Sequence, residues 1–414
     1  MVKNLIMINQ ETYDISNMGF LPNSCEDLPV EFQFLKKIYL AKGKVKDFRQ
    51  FVQNTEFEFP DDLENFSYDQ IKTIYTISGI LSHYYVWCGK PSDVLPTILG
   101  WPWWYSSMVL GIKPVLTHAA VDLWNWKLKD EEQPFSLDNL ESNYLMTIDP
   151  EVRESESGFY LIMTAIEGEC GKIIYNMDTI YSELESGKPE ETVVFQNLKK
   201  IENILDKQIS IINRIYEKCK PELFYHQLRI YLNGSSKLEN GLTLEGVDTE
   251  PICFKGGSAA QSSIIPSEDI FFNVLHIQSN IREFFEEMRG YMPEKHRDLL
   301  IYFSQRPKLE DYLYYFKNPD IPILYRICIE KLRKFRSCHM TIVRRYIVQQ
   351  QGNMNGTGTG GTPLASFLQT IIQNTVDTYN RSRRNKLLTI LFIFGFMICL
   401  RFLLEIMIYF FKEE

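Results

Sequence analysis

Residues 323–349 read ILYRICIEKLRKFRSCHMTIVRRYIVQ, and the periodicity of this stretch decides the fold class. Cys328, Leu332, Phe335, His339, Ile342 and Tyr346 follow one another in steps of three or four, so a helix lines them up along one side. Glu330, Lys331, Arg333, Lys334, Arg344 and Arg345 then fall on the other side, toward solvent or a partner. Pro322 stands just ahead of the run. A proline costs little there, because first-turn N–H groups lack helical partners anyway.

The same period recurs through the chain. It predicts helices over Tyr68–Trp87 (YDQIKTIYTISGILSHYYVW), Phe159–Ile166, Val193–Tyr225, Phe271–Met288 and Leu309–Tyr315. Period-two alternation never lasts beyond a few residues and no long repeat is evident, so the expected class is all-α. The polar run DPEVRESESG at 149–158 is the candidate boundary, giving an N-terminal lobe over 1–150 and a larger helical lobe over 151–380. QQQGNMNGTGTGG at 349–361 is too glycine-rich for a fixed helix and reads as a mobile loop, either a lid or a plain linker.

Composition narrows the function classes. The 414 residues carry a net charge of -9 with no basic block in the body, which argues against nucleic acid as a partner. Eight cysteines are scattered without a CxxC pair, as expected of free thiols in a reducing compartment. The N-terminus lacks the apolar run of a secretory signal, so the body is expected to be cytoplasmic. At the other end, Leu387–Phe411 (LLTILFIFGFMICLRFLLEIMIYFF) would span about 37 Å as a helix, enough to cross a bilayer with tilt. Arg381, Arg383, Arg384 and Lys386 precede it, so residues 381–414 read as a basic flank and a membrane anchor. A helix packed on the body or on a partner chain is the alternative.

No HExxH, zinc spacing, GxSxG, phosphate loop or dinucleotide glycine fingerprint occurs. Among six histidines, His339 is the informative one, alone on the apolar face of its helix. That placement suits an axial haem ligand, with Arg336 one turn earlier able to meet a propionate. It equally suits a core histidine bonded to a backbone carbonyl, and the helix by itself leaves both open. GGSAAQS at 256–262 permits close backbone approach to a flat ligand, yet also reads as an ordinary turn. Arg229 suits a substrate carboxylate or a plain ion pair.

Several segments taken together resemble the indoleamine 2,3-dioxygenase family, in order and in spacing. They are VLPTILGWPWW, KPVLTHAAVDLWNW, SGFYLIMTAIEGE, PELFYHQLRIYLNG, GLTLEGVDTEPICFKGGSAAQSS, MRGYMPEKHRDLL, LRKFRSCHMTIVRRYI and GTGGTPLASFL, covering about residues 20 to 375. The resemblance implies a two-lobed, all-helical fold with haem b between the lobes and O2 as co-substrate. It implies that L-tryptophan is opened to N-formyl-kynurenine; the alternative is a haem protein of this fold that binds O2 or signals without oxidising tryptophan. By the same resemblance His339 is the iron ligand, Arg336 contacts a propionate, Asp269 supports that arginine, and Ser258 lies on the distal side near propionates and substrate. Phe224 and Phe159 wall the indole, Arg229 takes the substrate carboxylate, and Thr359 belongs to a loop that closes over it. Two positions depart from many relatives. Met163 stands where a hydroxyl is common, and His118 stands where the family has Tyr or His, which implies an imidazole in the substrate pocket. Thr164 lies about 100° away from Met163 around a helix and is no obvious substitute for the missing hydroxyl.

Overall fold

A computed structural model describes residues 8–60, 65–351, 365–383 and 401. The body is mostly helical, as expected, with only short strands: β1 (Val94–Leu95) pairs in parallel with β4 (Thr243–Leu244), and β2 (Trp126–Leu128) pairs antiparallel with β3 (Leu140–Ser142).

The helix α1 spans Tyr68–Trp87, as its periodicity predicts, and begins with a capping box in which Ser67 and Gln70 satisfy each other's backbone N–H. Every residue from Ile71 to Trp87 is buried, so α1 runs through the core rather than along its surface. α2 (Thr97–Val109) packs against it. The Tyr75 hydroxyl donates to the carbonyls of Lys113 and Val115, both at 2.7 Å, and ties the chain after α2 to α1.

α3 (Pro150–Cys170), α4 (Ile173–Glu185) and α5 (Glu191–Ile212) follow, and α5 lies between α4 and the long α9 (Asp320–Val343). The predicted stripe of α9 is the buried one: Cys328, Leu332, Phe335, Ile342 and Tyr346 all lie in the core. On the opposite side, Lys331 bridges to Glu202 of α5 at 2.7 Å and also reaches Asp206. α6 (Ile264–Phe271), α7 (Ser279–Arg289) and α8 (Glu294–Ser304) complete the frame, and residues 365–383 form a further helical stretch.

Several expectations are corrected. The polar run 149–158 is helical, not a loop: Asp149 caps α3, Pro150 takes its first position, and the rest is its first turns. Its Glu156 is buried and accepts from the Met146 and Thr147 amides and the Thr147 hydroxyl, so the polarity serves helix and loop capping. The helix expected over Phe271–Met288 is broken between α6 and α7, where Asn273 takes the left-handed conformation with φ 53°. Val193–Tyr225 is also interrupted; α5 ends at Ile212 and a new turn starts at Pro221, which cannot continue a helix from behind. Over Leu309–Tyr315 only Leu309–Tyr312 is helical. Gln349–Gln351 are still helical, while the rest of the glycine-rich run and Thr359 lie outside the described residues.

Among the described residues no helix is long and apolar enough to cross a membrane. The anchor expected over 387–411 falls outside them, Arg401 apart. Arg381, read as part of the basic flank, belongs to the body: it pairs with Glu310 at 2.9 Å and donates to the Asn273 carbonyl at 2.6 Å.

Candidate active site

Among the described residues, π-helical turns occur at Ala119–Leu123, Phe224–Leu228 and Arg344–Val348. Such turns widen the helix by one residue and re-aim the side chains around them. All three fall on segments that carry candidate residues. The second projects Phe224 and the third carries Tyr346 on from α9. Their rings meet edge to face at 5.7 Å, and Phe159 of α3 lies 4.7 Å from Phe224 on another side. The two rings expected to wall an indole are thus in contact, and Tyr346 joins them from the His339 stripe. Tyr346 is held in turn by its hydroxyl, which donates to the Cys219 carbonyl at 2.6 Å.

Arg229 follows the Phe224 turn, half-buried, with its guanidinium 5.3 Å from the centre of the Tyr225 ring. Gly234 and Gly256 explain how this segment meets GGSAAQS. A β-carbon on Gly256 would lie 2.1 Å from the Leu232 carbonyl oxygen, and one on Gly234 would lie 2.2 Å from the Phe254 carbonyl oxygen. Only glycine allows the two backbones to approach so closely. Just beyond, Ser258 caps a short turn, its hydroxyl accepting from the Ala260 amide at 3.3 Å.

His339 is set deep in the protein while keeping part of its surface accessible, and it makes no hydrogen bond to any described residue. Burial pushes its imidazole down to about 4, so it is neutral and keeps a lone pair. Because part of the ring is accessible, that lone pair is open to a metal ion. Three residues earlier, Arg336 is 7% exposed and reaches both Asp269 of α6 and the Thr375 hydroxyl. Asp269 Oδ2 accepts from His276 Nε2 at 3.2 Å, and His276 Nδ1 accepts from the Asn374 amide at 3.0 Å. Burial alone would raise the Asp269 carboxyl, but Arg336 and His276 hold it below the usual carboxylate range. Sequence reasoning paired Arg336 with Asp269 but missed His276, Asn374 and Thr375. His276 reaches Asp269 only because the chain breaks after α6, a feature the helical periodicity conceals.

His118 departs most from its expected role. It is 3% exposed, Nδ1 donates to Asp122 at 2.6 Å, and Nε2 donates to Glu167 at 3.0 Å. Glu167 also accepts from the Ser262 hydroxyl at 2.6 Å, and the His118 amide donates to Gln261 at 3.1 Å. Burial opposes a charge here, yet Asp122 and Glu167 outweigh it and raise the imidazole to about 10. Both ring nitrogens carry protons that are already engaged, so His118 ties the Thr117–Asp122 segment to α3 and to GGSAAQS instead of facing substrate. The signal was the spacing His118-x-x-x-Asp122, two residues one turn apart. Thr164 is likewise occupied, donating to the Asp122 carbonyl at 2.8 Å, while Met163 remains partly exposed.

The indoleamine 2,3-dioxygenase family model matches residues 9–378. The chain belongs to the indoleamine 2,3-dioxygenase family. It is 32% identical to indoleamine 2,3-dioxygenase 1 of Rattus norvegicus over 318 residues, covering 72% of this chain and 77% of the rat protein. Indoleamine 2,3-dioxygenase 2 of Homo sapiens is 27% identical over 402 residues, covering 91% and 97% of the two chains. A 6-hydroxytryptophan 2,3-dioxygenase of Fusarium equiseti, fscD, is 32% identical over 341 residues, covering 74% and 81%. Relatives that carry one family fold are therefore named for different indoles.

Proposed function

We propose that this indoleamine 2,3-dioxygenase family member uses haem b to open the indole C2–C3 bond of L-tryptophan with O2, placing both oxygen atoms in N-formyl-kynurenine. The observation that carries the reading is His339: a neutral imidazole with no hydrogen-bond partner, on the helix whose Arg336 sits in a charged network and whose stripe continues to the aromatic wall at Tyr346. An iron ligand must be an unprotonated imidazole, and this one fits. Haem, when bound, supplies oxygen binding and activation. His339 would hold its iron, and Arg336, its guanidinium fixed by Asp269, would meet a propionate by a charge-assisted bond, with Ser258 near the propionates and substrate.

The chain's own part in the reaction is positioning. Phe224 and Phe159 pack the indole, Arg229 takes the α-carboxylate, and Thr359 belongs to the segment that covers it. Fixing the substrate in this way replaces a bimolecular encounter with an oriented one and keeps water out. His118 has no part in proton transfer, because both of its protons are held by carboxylates.

Reduced, haem-loaded protein given L-tryptophan and O2 should accumulate N-formyl-kynurenine, followed by its near-ultraviolet absorbance. A Soret band without that product would overturn tryptophan as substrate, and turnover of 6-hydroxytryptophan alone would reassign it. We assign the apolar run 387–411 to a membrane anchor that leaves the body on the cytosolic side, supported by its length and by Arg383, Arg384 and Lys386 ahead of it. A chain ending at residue 384 should then leave the membrane fraction and keep its activity.

A further inference from the structure

Gln208 of α5 and Glu268 of α6 are both fully buried, at 0% exposure. Gln208 Nε2 donates to Glu268 Oε1 at 2.5 Å. The other oxygen of each side chain, Gln208 Oε1 and Glu268 Oε2, has no partner among the described residues. An amide and a carboxyl that share one such bond have a second to offer, but two bare acceptors cannot form it. A proton on Glu268 Oε2 supplies the missing donor to Gln208 Oε1 and closes a two-bond acid–amide ring. Turning the amide over exchanges the two bonds and still requires the proton.

The groups around this pair favour the same state. The charges that act on Glu268 are Arg336 from α9, Asp269 beside it on α6, and Glu167 from α3. Burial is the strongest influence and raises its carboxyl; Gln208 and Arg336 oppose it, Asp269 and Glu167 reinforce it, and the result is about 8. Arg336 is already balanced by Asp269. An ionised Glu268 would add a further negative charge beside the Arg336–Asp269 pair, next to a guanidinium that must also attract an anion.

We propose that Glu268 is a positioning residue, a neutral carboxylic acid buried in a pair with Gln208, so that Arg336, balanced by Asp269 alone, stays available to an anionic group of the bound cofactor. The second half of this statement rests on the reading of Arg336 as a propionate contact; the first half does not.

Glu268→Gln tests both halves, because an amide makes the same two bonds to Gln208 and cannot ionise. In the haem-free protein at neutral pH, the infrared carbonyl band of a buried carboxylic acid should be present and should vanish in Glu268→Gln. Gln208→Leu should shift that band by removing its partner. The folded carboxyl lies above its unfolded value of 4.5, so the native state binds the proton more tightly. The wild-type melting temperature should therefore fall relative to Glu268→Gln as pH rises from 4.5 to about 8, and run parallel above that. No such band, together with a gap that ignores pH, would overturn the acid–amide pair. For the second half, haem affinity read from the Soret band should weaken by about tenfold in the wild type between pH 7 and 10 and stay flat in Glu268→Gln. Coincident haem profiles would overturn the link to Arg336. If neither protein takes up haem, the proposed cofactor is wrong, while the infrared band and the melting gap still decide the state of Glu268.

Discussion

His83 on α1 and His339 on α9 are two imidazoles driven by burial to the same neutral state, each at about 4, and the protein treats them in opposite ways. His83 is 4% exposed; its Nδ1 donates to the Tyr231 carbonyl at 2.8 Å and its Nε2 accepts from the Leu116 amide at 3.0 Å. It pins α1 to two loops and has no valence left. His339 has the same charge and no described partner. His118 is a third case, protonated and clamped by Asp122 and Glu167. The difference teaches that burial and neighbouring carboxylates together set whether a histidine is charged, while the bonds it lacks show whether it is free for chemistry.

The sharpest way to break this comparison is to remove each ring. His339→Ala should abolish the Soret band and lower turnover at least about a thousandfold, roughly 4 kcal/mol of barrier, while the haem-free protein melts no lower than wild type. Retention of a normal Soret band would refute the ligand assignment. His83→Ala should do the reverse. It strands the Leu116 amide and the Tyr231 carbonyl and leaves a cavity, so denaturant unfolding should show a loss of about 3 kcal/mol, with haem content per folded molecule unchanged.

Arg229→Ala tests the substrate side alone. KM for L-tryptophan should rise by about thirtyfold, close to 2 kcal/mol, with the Soret band intact; an unchanged KM would remove Arg229 from the carboxylate role. A smaller effect separates His118 from His83 by pH. His118 is raised from 6.5 to about 10 in the fold, so its contribution is complete below 6.5 and is lost as pH climbs toward 10. His83 is lowered to about 4, so its contribution is complete above 6.5 and is lost as pH falls from there toward 4. His118→Gln should flatten the alkaline side of the stability profile and leave the acid side alone; a slope unchanged above pH 7 would mean that His118 is not an imidazolium. Smallest of all, Phe159→Leu should raise KM by about threefold, since Phe224 keeps Tyr346 as a neighbour when the Phe159 ring is lost.

Much of the helical frame was legible because apolar spacing is a local property. Tyr68–Trp87 was readable to its ends, and so was the buried stripe of Cys328, Leu332, Phe335, Ile342 and Tyr346. The breaks were not. Asn273 and Pro221 interrupt patterns that remain periodic across them, because the residues on each side face the same core. At 149–158 the polarity belongs to the capped start of a helix and to a loop that Glu156 caps, not to an irregular segment.

For the candidate site, family motifs named His339, Arg336, Asp269, Phe224 and Arg229 in advance. Nothing local pointed to His276, Asn374 and Thr375 around Arg336, to the Glu167 bond of His118, or to the Gln208–Glu268 pair. The sequence by itself determined which segments are helices, which face of each is apolar, and which family motifs occur in what order, because these follow from periods of three to four residues and from short runs of side chains. Tertiary structure alone decided which buried polar groups are satisfied. That depends on atoms contributed by elements far apart in the chain, as Gln208 and Glu268 are, and hydrogen bonding is settled over a few ångströms of space.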